Sequence, residues 1–217
     1  MRYRKKGWGN SIRRSQMAQL VWRTFVLNIA VTSALFIVTG EQGRGQSAGP
    51  KIDIQNLFTA SGFMGDGEYG RKYIDFSAAD KTDPHTRPQS IRVTYTFGPK
   101  RWGGIYWQNQ PDNWGDKPGF DYSNKGLSKV TFWARGKVGG EVVEFKVGGI
   151  NNSRKTYHDS LEATRGKITL TNKWTEYTVD LSGMDLKSVI GGFCWVASAD
   201  YNSNSTITFY LDDINLE

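Results

Sequence analysis

Short runs in which apolar and polar residues alternate recur through most of this 217-residue chain, and they constrain its fold more than any other feature. In one run, Ile91, Val93 and Tyr95 alternate with Arg92 and Thr94. Because strand side chains point alternately to opposite faces of a sheet, this pattern predicts β-strands with one buried face. Helical periodicity is absent beyond the N-terminal segment. The sequence therefore predicts an all-β fold.

Turn-forming clusters of Gly, Asn, Asp and Pro separate the alternating runs. For an all-β chain, about nine short strands at such spacing indicate a sandwich or a barrel, and we choose the sandwich. The predicted strands are 72–76, 91–97, 104–108, 130–134, 143–147, 167–171, 177–181, 191–198 and 207–216.

The last predicted strand changes phase part-way along. Apolar residues occupy odd positions in 207–211 but even positions in 214–216. One extra residue must be absorbed at Asp212 and Asp213, which predicts a β-bulge there. Bulges commonly redirect a side chain beside a functional site.

The N-terminal segment differs in composition from the rest. Residues 1–48 hold eight basic side chains and one acidic one, and so carry the whole formal excess of +7. Residues 49–217 hold equal numbers of basic and acidic groups, so the folded part has no charge footprint for nucleic acid. An apolar run at 25–38 is too short to span a bilayer and fits a signal sequence.

These features divide the chain into a leader (1–48), a linker (49–56) and one domain (57–217). The domain is expected to be exported, and so to be secreted, periplasmic or extracellular. If the leader is not cleaved, it would instead anchor the domain to a membrane. Cys194 is the only cysteine, which excludes an intramolecular disulfide and predicts a buried thiol.

Four segments carry a resemblance to a known group of domains: 103–123, 127–150, 191–198 and 208–217. Their most specific pieces are Tyr-Trp-Gln followed by Asn-Trp-Gly, then Phe-Trp-Ala-Arg-Gly, and the terminal Tyr-Leu-Asp-Asp-Ile. Over about residues 57–217 the chain resembles the galactose-binding-domain-like jelly rolls, and most closely carbohydrate-binding modules of the type near family 11. This resemblance implies a jelly-roll β-sandwich and a secreted, glycan-active context in a bacterium.

Aromatic residues are concentrated in 102–133 beyond the need of a sandwich core. A sugar receptor requires a flat aromatic platform with a few polar partners, because a sugar ring has an apolar face and a hydroxyl rim. Strand alternation directs the side chains of Trp133, Arg135, Glu144 and Lys146 outward, and the resemblance implies that this is one concave, ligand-binding face. Trp195 lies in a strand that is apolar at both parities, so it lines the groove or belongs to the core. The predicted ligand-binding residues are Tyr106, Trp107, Gln108, Trp114, Trp133, Arg135, Glu144, Lys146 and Trp195.

Acidic residues in loops and at strand ends suggest a cation site. Calcium takes six to eight oxygen ligands in flexible geometry, and the resemblance implies a structural calcium that ties an N-terminal loop to the last strand. The predicted ligands are Asp213 first, then Asp66, Asp83 and Asp212. Capping of turns by aspartate side chains explains the same residues without a metal.

Catalysis has little support in the sequence. His85 and His158 lie in loops without a nucleophile context, and Glu144 has Lys146 rather than a second carboxylate as its expected neighbour. The leading prediction is a secreted, non-catalytic protein that binds polysaccharide or oligosaccharide of the β-glycan class. The alternatives are a small jelly-roll polysaccharide lyase or glycoside hydrolase, and a domain that contacts other proteins.

Overall fold

The computed structural model describes residues 49–217, so the predicted leader, with its signal or anchor, lies outside the described residues. The described part is almost entirely β-structure. Its eleven strands are β1 (Ile52–Asp53), β2 (Thr59–Gly65), β3 (Ile74–Asp80), β4 (Ser90–Thr96), β5 (Trp102–Gln108), β6 (Lys129–Gly136), β7 (Val142–Gly148), β8 (Glu162–Thr169), β9 (Thr175–Asp180), β10 (Gly191–Ser198) and β11 (Thr206–Leu216). A short helix α1 (Ile54–Leu57) and a 3₁₀ segment (Asp66–Lys72) complete the fold.

The strands form two antiparallel sheets. One sheet has the order β3-β4-β11-β6-β9, with β1 paired to the end of β11. The other has the order β2-β5-β10-β7-β8. The two sheets pack face to face around one core, which confirms the predicted all-β jelly-roll sandwich.

Alternation along the strands fills that core as the sequence predicts. Ile91, Val93 and Tyr95 of β4 are fully buried, and Phe132 of β6 contacts Phe193 of β10 across the sandwich, with ring centroids 5.0 Å apart. Apolar burial of this kind stabilises the fold by about 25 cal/mol per Å² of area removed from water. No helix among residues 49–217 is long and apolar enough to cross a membrane.

The predicted bulge in the last strand is present. The pairing of β11 with β6 shifts register between Asp212 and Asn215, and Asp213 has a φ of 50°. Ile214 and Leu216 return to the core after the shift. The bulge thereby directs the carboxylate of Asp213 toward the loop 81–89, where it meets His85.

The N-terminal end of the sandwich is longer than the sequence indicated. The sequence predicts a linker over 49–56, yet Ile52 pairs with Leu216 and Ile54 is fully buried in the core. Asp53 caps α1 by accepting a hydrogen bond from the backbone N–H of Asn56 at 3.1 Å. The folded domain therefore includes residues before 57.

Candidate functional site

The outer face of the five-stranded sheet carries a second apolar cluster, separate from the core. Tyr106 of β5 and Cys194 of β10 form its centre, together with Ile150 and Ile190 from the adjoining loops. Met64, Trp114 and Val196 pack against this cluster and are partly exposed. Partly exposed apolar side chains grouped on the outside of a sheet are typical of a binding surface. We call this surface the candidate groove and define it by Met64, Tyr106, Trp114, Val196 and Tyr201.

Trp114 forms one end of the candidate groove. Its ring meets the ring of Tyr106 edge to face, with centroids 5.9 Å apart and an angle of 87°. These two rings, Met64 and Ile150 line an open cleft of about 360 Å³, with Asn151 and Asn152 at its rim. Burial raises the pKa of Tyr106, whose hydroxyl donates to the Gly148 carbonyl oxygen at 3.0 Å. The cleft has the size and the mixed lining of a small-ligand site.

Buried amides hold the loop that presents Trp114. Gln108 is fully buried; its Nε2 donates to the Asn113 carbonyl oxygen at 2.8 Å, and its Oε1 accepts from Ser61 at 2.7 Å. Asn113 in turn accepts from the N–H groups of Gly115 and Lys117. The predicted residue Gln108 therefore lies beneath the groove and positions the Trp114 loop.

A second loop, 149–159, forms a wall beside Trp114. Asp159 anchors it by accepting hydrogen bonds from the backbone N–H groups of Ile150, Ile190 and Gly191. Burial raises the pKa of Asp159 to about 6, and this effect outweighs the opposing effect of the three N–H donors. Lys155 joins the two loops through its ion pair with Asp116 at 2.6 Å.

Tyr201 forms the other end of the candidate groove. The residue is 54% exposed, and Lys167 Nζ lies 4.1 Å from its ring centroid. Asn202 fixes this loop by accepting from the Val142 N–H at 2.9 Å and donating to the Ser198 carbonyl oxygen at 3.0 Å. Tyr201 is thus a second aromatic surface on a held loop.

Polar side chains lie between the two aromatic ends. Lys146 is opposite Cys194 and Glu144 is opposite Val196 in the register of β7 with β10. Lys146 pairs with Glu162 at 3.3 Å, and Glu144 accepts a hydrogen bond from Thr164 at 3.2 Å. The groove therefore places hydrogen-bonding groups directly beside its apolar floor.

Four predicted ligand-binding residues meet on this face: Tyr106, Trp114, Glu144 and Lys146. Sequence reasoning missed Met64, Asn151, Asn152, Val196 and Tyr201. Asn151, Asn152 and Tyr201 lie in loops, where alternation gives no direction. Met64 lies in the glycine-rich strand β2, and Val196 lies in β10, which is apolar at both parities. The sequence signal for Tyr201 is an aromatic residue within the polar, turn-forming stretch ADYNSNS (199–205).

Trp107 and Trp195 do not line the groove. The prediction that Trp107 binds ligand is therefore wrong, and of the two alternatives left open for Trp195, groove or core, the structure shows the core. They are 2% and 0% exposed, respectively, and belong to the core between the sheets. Trp107 packs edge to face on Phe76 and Phe193, at 5.8 and 5.5 Å. Neighbouring strand residues face opposite ways, so Trp107 must point inward where Tyr106 points outward.

Trp133 and Arg135 lie on the opposite side of the molecule from Glu144 and Lys146, which corrects the prediction of one shared face. All four point outward, but β6 belongs to the six-stranded sheet and β7 to the five-stranded sheet. His85 covers Trp133 in a stacked arrangement, with centroids 3.8 Å apart.

Arg135 is equally covered on that outer face. Its guanidinium lies 3.9 Å from the ring centroid of Tyr210 and 5.2 Å from that of Trp174. Asp83 approaches Arg135 at 3.5 Å and is itself highly exposed. Trp133 and Arg135 therefore hold the loop 81–89 against the six-stranded sheet.

The predicted metal ligands are not gathered at one place. Asp66 is fully buried, and its carboxylate accepts hydrogen bonds from the Tyr95 hydroxyl at 2.6 Å and from the N–H groups of Gly98 and Lys100, both at 2.8 Å. Asp212 and Asp213 instead lie at the bulge with His85 and Arg87. Across residues 49–217, no group of three or more His, Cys, Asp or Glu side chains is arranged to hold a metal ion.

The hydrogen bonds that these aspartates accept also argue against calcium binding by their carboxylates. Calcium requires several free oxygen ligands, whereas protein N–H and O–H groups already occupy the carboxylates of Asp66, Asp212 and Asp213. The carboxylates of Asp66, Asp212 and Asp213 therefore do not fit the ion that the resemblance implies.

Comparison with known proteins identifies the fold. No protein-family model matches the sequence, and no curated protein matches it. A solved family 30 carbohydrate-binding module aligns with a TM-score of 0.54 at 16% identity, covering 77% of this chain and 98% of the module. The chain has the fold of these modules. A second family 30 structure aligns with a TM-score of 0.51 at 16% identity, covering 77% of this chain and 87% of that one.

A family 11 module of Clostridium thermocellum, in complex with a β-1,3-1,4-mixed-linked tetrasaccharide, also matches. Its TM-score is 0.48 at 14% identity, covering 78% of this chain and 96% of the module. Fold is what such distant similarity shows, because one fold hosts many functions. The residues of the candidate groove, rather than the fold, therefore indicate the function.

Proposed function

We propose that this protein binds a β-glycan chain in the candidate groove without cleaving it. The observation that carries the proposal is the pair of held aromatic side chains, Trp114 and Tyr201, at the two ends of an apolar sheet face. A pyranose ring presents an apolar C–H face that stacks on an aromatic ring, while its hydroxyl groups need polar partners at the side. The groove supplies both.

The extent of the groove suits a chain of several sugars. It crosses a sheet of five strands, whose spacing of about 4.8 Å gives a width of about 19 Å from β2 to β8. Trp114 packs on Tyr106 at the β5 side, and Tyr201 contacts Lys167 at the β8 side. An oligosaccharide lying diagonally across the face would meet both rings.

The polar groups favour a neutral glycan. Glu144 and Glu162 alternate with Lys146 and Lys167 across β7 and β8, so the face has no excess of either charge. A uronate polymer would bring many negative charges and would find no matching basic patch. Carboxylate and ammonium groups are instead available to bond sugar hydroxyls.

The site is held in place before a ligand binds. Gln108 and Asn113 fix the Trp114 loop, and Asn202 fixes the Tyr201 loop, through the hydrogen bonds described above. Ordering a loop on binding costs free energy, so held aromatic side chains raise affinity. The hydrogen bonds that hold the two loops therefore support ligand binding without a rearrangement of the groove.

Binding rather than turnover is favoured by the carboxyl groups. Asp159 has the raised pKa expected of a general acid, but both of its oxygens are already engaged by backbone N–H groups that hold the loop 149–159. Glu144 and Glu162 both lie on this face, but protein donors engage both: Glu144 accepts from Thr164 at 3.2 Å, and Glu162 pairs with Lys146 at 3.3 Å. A glycosidase instead needs two carboxyl groups flanking the scissile bond.

We further propose that the domain acts outside the cytoplasm, on the strength of the basic and then apolar leader. Mass spectrometry of the exported protein should show a mature N-terminus near residues 45–49. An intact N-terminus in the membrane fraction would support the uncleaved anchor instead.

The proposed function is tested by affinity electrophoresis in gels that contain soluble β-glucan, xylan or a uronate polymer. We expect retardation by a neutral β-glycan and none by the uronate polymer. Each mixture should also be incubated for a long period and assayed for reducing ends and for unsaturated uronates. Accumulating products would overturn the binding proposal and support an enzyme.

A further inference from the structure

A single guanidinium lies where carboxylates from two distant segments converge. Arg87 Nη2 is 2.7 Å from Asp53 Oδ2, and Arg87 Nε is 3.2 Å from Asp213 Oδ1 and 3.7 Å from Asp212 Oδ1. His85 adds a contact between its Nδ1 and Asp213 Oδ2 at 3.2 Å. We call Asp53, Arg87, Asp212 and Asp213 the Arg87 cluster.

The Arg87 cluster joins three parts of the chain. Asp53 belongs to β1 and caps α1, Arg87 lies in the loop 81–89, and the two other aspartates form the bulge of β11. We infer that the guanidinium of Arg87 is the built-in cation that ties these three segments together, so that the fold needs no metal ion there. This inference is independent of the glycan proposal.

The balance of charge explains why a cation is needed at this point. Asp212 is fully buried and adjoins Asp213, which is only 20% exposed. Two neighbouring carboxylates removed from water are costly unless a cation neutralises them. A guanidinium suits this role because its planar donors reach several carboxylate oxygens at once and its charge is permanent.

The direction in which the pKa of Arg87 is shifted agrees with its close contacts to the carboxylates. Burial acts to lower the pKa of Arg87, but hydrogen bonds and charges from Asp53 and Asp213 outweigh it and raise the pKa overall. Protein donors also fill the remaining oxygens: the backbone N–H of His85 donates to Asp212 Oδ2 at 3.1 Å, and that of Asp213 donates to Asp212 Oδ1 at 2.9 Å. Little coordinating capacity is left for calcium, which takes six to eight oxygens.

The first test measures the melting temperature of the unaltered protein with calcium and with a chelator. We expect the same melting temperature in both, because the cation is covalently part of the chain. A melting temperature that falls in chelator and recovers with calcium would overturn the inference.

The second test compares Arg87→Gln with Arg92→Gln. Arg92 is a matched control because it also pairs with two carboxylates, Asp75 and Asp80, neither of which is fully buried. We expect Arg87→Gln to lower the melting temperature by about 5 to 10 °C and Arg92→Gln by about 2 °C or less. Equal effects would overturn the inference. If Arg87→Gln does not fold, Arg87→Lys replaces it and should lower the melting temperature by more than Arg92→Gln does; a smaller or equal effect would overturn the inference.

The third test separates charge from packing. In the Arg87→Gln background, the change Asp213→Asn removes a carboxylate that has lost its cation, so it should raise the melting temperature by several degrees. In the unaltered protein, the same change should lower it. If Asp213→Asn lowers the melting temperature in both backgrounds, Arg87 acts through packing and the inference fails.

Discussion

Asp66 is a fully buried carboxylate whose loss should cost the domain much of its stability. Its carboxylate accepts three hydrogen bonds inside the fold, from the Tyr95 hydroxyl and the N–H groups of Gly98 and Lys100. Each donor left without a partner costs about 1 to 3 kcal/mol. We expect Asp66→Ala to lower the free energy of unfolding by about 3 to 5 kcal/mol in urea denaturation.

Asp75 provides the control for that measurement. Its carboxylate is 54% exposed and, among residues 49–217, pairs with Arg92 alone, so Asp75→Ala should cost about 1 kcal/mol or less. If both variants lose the same stability, Asp66 is not the buried anchor described above.

Asp159 should make stability depend on pH in the mildly acidic range. Folding raises its pKa from 3.8 to about 6, so the folded protein binds this proton more tightly than the unfolded chain does. Its contribution is fully present below about pH 4 and is lost as the pH rises through about 6. The total loss is at most about 3 kcal/mol, since one pKa unit corresponds to about 1.4 kcal/mol.

Denaturation of the unaltered protein and of Asp159→Asn at intervals from pH 4 to pH 7 isolates this contribution. The stability of the unaltered protein relative to the variant should fall as the pH rises. A constant difference, or one that grows with pH, would contradict the assigned pKa.

At the scale of elements, the loop that presents Trp114 depends on a residue of β5. Gln108→Ala removes the bonds to Ser61 and to the Asn113 carbonyl, so amide hydrogen exchange in residues 109–117 should become faster. Glycan affinity should fall with it, because a mobile loop must be ordered on binding. Thr178→Ala, on the exposed side of β9, is the control. Unchanged exchange in Gln108→Ala would show that other contacts hold the loop.

The strands were predictable from the sequence to different degrees. Alternation located nine of the eleven strands in residues 49–217 and the bulge at Asp212–Asp213, because burial on one face imposes a period of two. It missed β2, where Gly62 and Gly65 interrupt the pattern of TASGFMG. It also missed β1, which has only two residues.

The candidate site was predictable only in part, and the reason is physical. Alternation states whether a side chain points in or out, but not which of two sheets its strand joins. Trp133 and Glu144 both point outward, yet from opposite sheets. Strand order depends on contacts between distant segments, such as the pairing of β11 with β6, and no local pattern encodes them.

At the scale of the whole molecule, the sandwich has two outer faces with different roles. The six-stranded sheet uses its outward aromatic residues to hold the loop 81–89, as the stacking of His85 on Trp133 shows. The five-stranded sheet leaves Trp114 and Tyr201 open at the ends of an apolar floor. This difference between the faces predicts that glycan binds to the five-stranded sheet and not to the six-stranded sheet.

Isothermal titration calorimetry measures directly whether the two faces differ in glycan binding. The ligand is the β-glycan that gives the greatest retardation in affinity electrophoresis. The variants are Trp114→Ala and Tyr201→Ala on the candidate groove and Trp133→Ala on the opposite sheet as the matched control. Loss of one stacking surface should weaken binding about tenfold, since stacking contributes about 0.5 to 1.5 kcal/mol beyond area burial and tenfold corresponds to about 1.4 kcal/mol. We predict this loss for both groove variants and an unchanged affinity for Trp133→Ala. Full affinity in both groove variants, or an equal loss in Trp133→Ala, would contradict the account.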